Sequence, residues 1–254
     1  MFSFGYWCEL ISVLTRKEIN VRYKSSVLGY LWSVLHPLTF GLIYFVVFRE
    51  IMRVPVANYP LFILSGLFPW QWAAAAISNA PATFLANASI IRRVAFPRGA
   101  LPVSLVLMEG IHFLCALPVI VLLIVCSGGL PSICWLWGIP VLWAIQSALL
   151  TGITWALAVV TPFLRDLERF TALGVMALFY ATPVLYPAQM VPARWAWLLW
   201  ANPFASLIAA WRDLLMKGQL SLVSLGIPLV AAVASLLAGF RVLRTLSPSM
   251  AEVL

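Results

Sequence analysis

Two ionisable side chains in a strongly apolar stretch are the first candidates for chemistry. Glu109 and His112 are three residues apart, so on a helix they share one face. A buried carboxylate beside an imidazole can relay a proton, as an ion-coupled transporter requires. The same pair can instead hold neighbouring helices together through a polar contact. A relay needs more titratable groups than this stretch offers, so the sequence favours the polar contact.

Other signatures of catalysis are absent from the sequence. No GxxxxGK[ST] loop occurs, so the chain has no P-loop for ATP, and neither HExxH nor GxSxG is present. The four cysteines form no CxxC pair, which argues against zinc or redox chemistry. Cys126 and Cys134 flank a turn and could bridge, but the sequence favours two small hydrophobes. We therefore expect no enzyme activity, no catalytic residue and no bound cofactor or metal.

The composition is that of an integral membrane protein. Hydrophobic residues make up 63% of the 254 positions and charged residues only 9%, whereas a soluble domain carries about 25% charged residues. The net charge of +8 comes from short basic groups between apolar runs. That pattern indicates membrane topology and not a nucleic-acid partner.

The apolar runs predict an all-α fold with six transmembrane helices in one transmembrane domain, residues 1–254. A span needs about 20 apolar residues, and Gly/Pro clusters such as residues 127–132 separate the runs. The predicted spans cover about 26–48, 61–84, 101–126, 133–160, 169–187 and 219–240.

The distribution of Lys and Arg predicts that both termini are cytoplasmic. With a cytoplasmic N-terminus, the outer side holds Arg49, Arg53, Arg194, Arg212 and Lys217. The inner side holds the larger group, as the positive-inside rule requires: Arg16, Lys17, Arg22, Lys24, Arg92, Arg93, Arg98, Arg165, Arg169, Arg241 and Arg244.

The N-terminal residues predict an amphipathic helix on the cytoplasmic membrane surface, over about 3–24. Phe4, Trp7, Ile11 and Leu14 recur at helical spacing. The pattern fails at Glu18, so we expect this helix to end or bend near residues 15–17.

Residues 188–217 are rich in tryptophan but are interrupted by Asn202 and Pro203. Asparagine is a good N-cap and proline a good first helical residue. We interpret the segment as two short re-entrant helices that meet at this point, because backbone that turns within a membrane must be buried in protein or line a cavity. The alternative is an interfacial helix in a tryptophan belt.

A basic loop joins the second and third predicted spans. Arg92, Arg93 and Arg98 surround Phe96 and Pro97. The group could be a plain positive-inside anchor. Because apolar residues alternate with the charges, it could equally be a short helix that docks on an acidic partner. Composition does not decide between the two.

Five stretches together resemble the membrane subunits of polysaccharide-exporting ABC (ATP-binding cassette) transporters of the O-antigen, capsule and teichoic-acid type. They follow the family's order along the chain: LTRKEINVRYKSSVLGYLWSVLHPL (14–38), IIRRVAFPRGALP (90–102), FLRDLERF (163–170), ATPVLYPAQMVPARWAWLLWANPF (181–204) and AWRDLLMKG (210–218).

The resemblance implies a homodimer that works with two copies of a separate ATPase, which would use the ATP and Mg. The implied coupling contact consists of Ile91, Arg92, Arg93, Phe96, Pro97 and Arg98. The implied outer gate, at residues 188–217 and the positions before them, includes Tyr186, Pro187, Trp195, Trp200, Asn202 and Pro203.

Two further residue groups are expected around a sugar-polymer path. Aromatic rings suit the apolar faces of sugars, and the candidates for the pore are Tyr30, Trp32, Phe68, Trp70, Trp72 and Tyr180. Basic residues near the inner interface could bind a lipid diphosphate or merely anchor the chain to anionic lipid: Arg16, Lys17, Arg22 and Lys24.

The expected function is export of lipid-linked polysaccharide, most of all O-antigen, across the bacterial inner membrane. Two rivals remain open. One is an ABC exporter of a small molecule or drug, and the other is an ion-coupled transporter that uses Glu109 and His112.

Overall fold

The computed structural model describes residues 3–23, 31–51, 53, 56, 58–94 and 96–253. The fold is all-helical, with 83% helix and no strand within these ranges. Four of the helices here are long and apolar enough to cross a membrane.

The longer helices, of ten or more residues, are α1 (Phe4–Tyr23), α2 (Trp32–Phe45), α3 (Tyr59–Asn79), α6 (Ala100–Cys126), α7 (Trp135–Val160), α8 (Leu167–Ala181), α10 (Pro203–Arg212) and α11 (Gly226–Val253). The shorter ones are α4 (Ala82–Ala86), α5 (Ala88–Arg93) and α9 (Ala196–Ala201). Val46–Ile51 continues α2 and Asp213–Lys217 continues α10, both as π-helix.

The four helices that could span a membrane are α3, α6, α7 and α11, the last beginning with the short turn at Val223. They fall on the second, third, fourth and sixth predicted spans. However, α11 does not end near residue 240 but continues to Val253. The first predicted span falls on α2 and its π-helical extension, with residues 26–30 outside the described ranges, and the fifth falls on α8, which has 15 residues.

The centre of the bundle is α3. Its apolar window is 78% buried, against 39% for α6, 44% for α7 and 22% for α11. Pro69 lies inside α3 and deprives the helix of one backbone N–H. Gln146 on α7 donates a hydrogen bond to the Pro69 carbonyl of α3. Because α3 is the most buried of these four helices, the cavity and the contacts described below are arranged around it.

Small residues let α11 lie directly against α7. A Cβ atom added to Gly239 would collide with the backbone of Gly152, and one added to Gly152 would collide with Ser235. The Ser235 hydroxyl donates to the Leu149 carbonyl at 2.8 Å. Close backbone approach with a hydroxyl bond is the usual way for apolar helices to associate in a membrane.

The N-terminal helix α1 is longer than its apolar pattern predicts. Trp7, Ile11 and Leu14 pack into one cluster, as expected for an apolar face. We name it the inner cluster, because the sequence predicts that this side of the bundle is cytoplasmic. The helix does not end near residues 15–17, where the sequence predicted an end or a bend, because α1 continues to Tyr23. Beyond that point Ile19 packs on a second cluster that contains Met108. Along α1 the packing partner therefore changes, but the helical structure does not.

Candidate translocation cavity and docking surface

A cavity of about 900 Å³ is lined by residues of α2, α3, α6 and α8. Its polar lining comes from two of these helices: Gln71, Ser78 and Asn79 on α3 and Glu109 and His112 on α6. The remaining lining is apolar, with a large share of aromatic rings. Hydrogen-bonding groups and ring faces thus meet in one space.

Glu109 and His112 meet as their helical spacing requires. Glu109 Oε2 lies 3.3 Å from His112 Nδ1, and Glu109 is only 5% exposed. Glu109 is nine residues into α6, which is about 14 Å along the axis from the start of the helix. Within the described chain, no cluster of three His, Cys, Asp or Glu could hold a metal ion, and all four cysteines are free.

Four of the six residues predicted to line a pore lie on the 900 Å³ cavity: Trp32, Phe68, Trp70 and Trp72. Trp32 is half exposed, whereas the three residues of α3 are at most 4% exposed. The Trp72 indole N–H donates to the Val106 carbonyl at 3.0 Å, so this ring also joins α3 to α6. Tyr30 lies outside the described residues.

Other aromatic residues of the cavity escaped the sequence interpretation. Phe40 and Tyr44 stand one helical turn apart on α2, and the Tyr44 ring is 6.0 Å from that of Phe179 on α8. Phe179 also lies 5.6 Å from Trp70. The spacing of Phe40 and Tyr44 was a usable signal, whereas the partnership with α8 was not visible in the sequence.

A second, smaller cavity of about 270 Å³ lies beside the residues predicted for an outer gate. Tyr180, Tyr186 and Trp195 contribute to its lining, and the Tyr186 hydroxyl donates to the Tyr180 carbonyl at 2.7 Å. Tyr180 therefore lines this second cavity and not the larger one. The guanidinium carbon of Arg194 lies 5.9 Å from the centre of the Trp195 ring.

The chain turns between α9 and α10 at the predicted residues. Asn202 caps α10 by accepting from the backbone N–H of Phe204 at 3.0 Å, and Pro203 is the first helical residue. The Asn202 amide also donates to the Thr182 hydroxyl at 2.9 Å, and both residues are buried. This side chain therefore joins the start of α10 to the end of α8.

The two sides of this turn differ in exposure. In α9, Trp200 is 72% exposed, and Trp195, just before the helix, is 46% exposed. Pro187 is partly exposed. By contrast, six of the ten residues in α10 are buried, among them Trp211. The α10 helix is thus an internal element of the bundle.

A buried glutamine joins α10 to the centre of the bundle. Gln146 on α7 accepts from the Trp211 indole at 2.7 Å and donates to the Pro69 carbonyl of α3 at 2.8 Å. Gln146 and Trp211 are fully buried. The sequence interpretation missed this junction, because three distant segments have to meet before a single glutamine stands out.

The loop between α4 and α6, predicted to be cytoplasmic, presents charge and keeps its apolar residues inside. Arg92, Arg93 and Val94 are exposed, the last by 55%. Ile91 and Phe96, which were expected to meet a partner, are buried in the protein's own inner cluster. These two side chains lie in one cluster with residues of α1, α7 and α11.

Pro97 and Arg98 are partly exposed, and the Arg98 guanidinium donates to the carbonyl of Ser247 on α11. Arg98 therefore serves an internal contact. We name the exposed set Arg92, Arg93 and Val94 the docking surface.

The basic residues of α1 do not act as one group. Arg16 is exposed, whereas Lys17 bonds to Glu18 at 3.2 Å and to the Asn87 side chain at 3.0 Å. Asn87 joins α4 to α5, so Lys17 ties α1 to the loop that carries the docking surface. Arg22 lies in the last turn of α1 with its side chain outside the described part, and Lys24 lies wholly outside it.

Known proteins are similar in sequence to this chain over its full length. The family model for the ABC-2 type transporter matches residues 9–216. The O-antigen export system permease protein RfbA of Klebsiella pneumoniae is 44% identical over 253 residues, covering all of this chain and 98% of the relative.

Two more distant relatives come from other organisms. The protein of the same name from Myxococcus xanthus is 30% identical over 216 residues, covering 83% of this chain and 82% of the relative. The polysialic acid transport protein KpsM of Escherichia coli is 24% identical over 257 residues, covering 98% and 99%. The chain therefore belongs to the ABC-2 type transporter membrane family.

Proposed function

We propose that this protein is the permease subunit of an ATP-driven exporter that moves a lipid-linked polysaccharide, of the O-antigen class, from the cytoplasm across the bacterial inner membrane. The observation that carries the proposal is the full-length similarity, at 44% identity, to permeases named for O-antigen export. This similarity covers 98% of the relative as well as all of this chain.

The lining of the 900 Å³ cavity suits a sugar chain. Sugars have apolar C–H faces, which pack on rings such as those of Tyr44 and Phe179, and hydroxyls, which bond to groups such as Gln71. The lipid carrier can remain in the bilayer while the glycan follows the polar path. This division explains why one cavity combines aromatic and hydrogen-bonding groups.

A homodimer completes the path in this proposal. The α2 helix with its π-helical extension and the α8 helix supply the first and fifth of six spans. Both helices line the cavity, and α8 presents Phe170, Leu173 and Met176 as exposed apolar residues. Two copies that face each other would enclose a wider channel than one six-helix bundle offers.

The α9 and α10 helices form a re-entrant gate on the outer side. The burial of α10 among the spans supports this assignment, since a helix that stayed at the interface would not be covered. Tyr186, Trp195 and Trp200 would face the exit.

The energy source is a separate ATPase subunit, present in two copies, that binds ATP and Mg. The chain itself has no P-loop. The ATPase would contact the docking surface, where two arginines are free to pair with acidic residues. Both termini lie in the cytoplasm. The lipid diphosphate would bind at the inner interface to Arg16, which is exposed, and to Arg22 and Lys24, as the sequence predicts.

A cellular experiment tests this function. In a strain whose O-antigen export permease is deleted, the chain is expressed with its cognate ATPase, and surface polysaccharide is measured by antibody binding and by gel profile of the lipopolysaccharide. We expect surface polymer to return with the wild-type ATPase and not with a catalytically dead one. Restored drug efflux without surface polymer would instead support the small-molecule exporter.

A further inference from the structure

The backbone between α8 and the short helices needs outside partners. After α8 ends, residues 182–186 run without helical structure, and α8 is capped by an extended Thr182. Three successive carbonyls here accept hydrogen bonds from side chains of other segments: Pro183, Val184 and Leu185. Because water is scarce at membrane depth, such carbonyls depend on protein donors.

Arg212, the last residue of α10, serves two of the three carbonyls. Its Nη1 donates to Pro183 at 3.0 Å and its Nη2 to Val184 at 2.9 Å. A guanidinium presents two donors in a fixed fork, whereas a lysine amine is a single point. This contact therefore specifies arginine.

The same guanidinium lies against α3. Its Cζ is 3.8 Å from the centre of the Phe62 ring, a close cation–π contact. A Cβ atom on Gly66 would come within 2.5 Å of Arg212 Nη2, so position 66 has to be a glycine for the arginine to fit. The third carbonyl, of Leu185, accepts from the Tyr59 hydroxyl at 2.9 Å. Tyr59 is the first residue of α3.

The charge of Arg212 is not explained by an ion pair. In the described ranges its neighbour Asp213 pairs with Lys217 at 2.7 Å, and no carboxylate is in salt-bridge contact with the guanidinium. Carbonyl dipoles and a ring face contact the guanidinium directly, and the Asp213 carboxylate adds a favourable interaction without an ion-pair contact. An ionisable side chain kept in such a setting is expected to have a functional reason.

The other end of α3 leads to the docking surface. The helix runs without interruption from Tyr59 to Asn79, about 30 Å at 1.5 Å per residue, and α4 and α5 follow directly. A displacement of α5 can therefore be transmitted along α3, because the other end of this helix contacts Arg212 and the Leu185 carbonyl.

We propose that Arg212 is a positioning residue that fastens segment 183–185 to the outer end of α3, so that movement of the docking surface is delivered to the outer gate. Tyr59 supplies a second, weaker attachment. The inference rests on the proposed function, since it needs an ATPase at one end of α3 and a gate at the other.

The main test compares transport with ATP hydrolysis in the purified complex of this chain with its ATPase, reconstituted in liposomes with lipid-linked O-polysaccharide. We expect Arg212→Lys to assemble and to hydrolyse ATP at about the wild-type rate, but to export about tenfold less polymer per ATP because its single amine cannot span both carbonyls. Tyr59→Phe loses one hydrogen bond, and we expect a reduction of about threefold.

The matched control is Lys217→Gln. It removes a cation five residues along the chain, from a side chain that is 67% exposed. We expect wild-type export per ATP, so that a change at another cation of this segment is separated from loss of the fork at Arg212. A reduction equal to that of Arg212→Lys would overturn the proposal.

A second measurement holds whatever Arg212→Lys does to assembly. Cysteines are placed at Tyr59 and Leu185 in a cysteine-free background and are joined by a flexible bifunctional maleimide. If α3 and segment 183–185 move as one unit, the joined complex keeps exporting at about the rate of the unreacted one. Arrest of export by the cross-link would overturn the proposal.

The outcomes separate the inference from the function beneath it. If the wild-type complex shows no ATP-dependent export of polymer, the proposed function fails and the inference with it. If the wild type exports and Arg212→Lys gives the same export per ATP, the inference alone fails.

Discussion

The segments at the two ends of α3 are held by different kinds of contact. At the outer end, Tyr59 and Arg212 donate hydrogen bonds to main-chain carbonyls of an irregular segment. Beyond the inner end, Phe84, Ile91 and Phe96 of the following segments pack into an apolar cluster beneath exposed arginines. The segment at one end of α3 thus relies on directional polar contacts, and the segments that follow its other end rely on burial.

This difference indicates what each end can do. Directional bonds fix the position of a few backbone atoms, which suits a gate that has to open and close by a set displacement. Apolar packing holds a segment firmly but leaves its charges free, which suits a surface that binds another protein. Substitutions at the outer end should therefore affect the position of the gate backbone. Substitutions at the inner end should affect the stability of the protein or its affinity for the ATPase.

The largest expected effect is loss of stability at the inner end. Phe84 is fully buried in the inner cluster, and Phe84→Ala should lower the free energy of unfolding by about 3–5 kcal/mol through lost packing and a cavity. The measurement is the thermal midpoint of the purified protein in detergent. Leu85→Ala, at a neighbouring position that is 37% exposed, is the control and should change the midpoint little.

Reversal of the exposed charges should weaken binding without loss of stability. We expect Arg92→Glu with Arg93→Glu to leave the thermal midpoint unchanged and to weaken ATPase binding roughly tenfold at low salt, with a smaller difference at high salt. Surface plasmon resonance with the immobilised permease measures both conditions. Unchanged affinity in low salt would remove the docking surface from the account.

A smaller effect is expected at the polar junction of the outer end. Asn202→Ala removes the cap of α10 and the donor to Thr182, and should cost about 1–2 kcal/mol in the free energy of unfolding. Asn202→Asp retains the cap acceptor and loses the N–H donor, so the difference between the two variants measures the cap, and the difference between wild type and Asn202→Asp measures loss of the donor to Thr182. Equal thermal midpoints for the two variants would assign no stability to the cap.

The smallest effect is expected between the two ends. Glu109→Gln can still bond to His112 on α6, so export of polymer should stay within about twofold of wild type if the pair serves packing. Export is measured as surface polysaccharide per amount of permease. Complete loss of export by a normally assembled complex would restore the proton-relay interpretation.

Local signals predicted the parts of the fold that short stretches of sequence determine. The break at Asn202 and Pro203 was predictable because cap and proline preferences act within one turn. The four long apolar runs were predictable for the same reason, since length and composition determine whether a helix can span. The apolar face at Trp7, Ile11 and Leu14 belongs to this group as well.

Features that depend on distant partners were not predictable. An alternation of arginine and apolar residues could not tell which side chains of the loop would point inward, and Ile91 and Phe96 were therefore assigned to a partner although they pack inside. Arg212 was treated as one more outer cation, because its carbonyl partners lie 28 and 29 positions earlier in the chain.

The most direct test of the account measures movement of lipid-linked O-polysaccharide into sealed liposomes that contain this permease and its ATPase. If the chain is the permease of an ATP-driven exporter, uptake requires ATP hydrolysis, stops with a catalytically dead ATPase and is unaffected when the proton gradient is collapsed. Uptake that persists without the ATPase and follows the proton gradient would contradict the account.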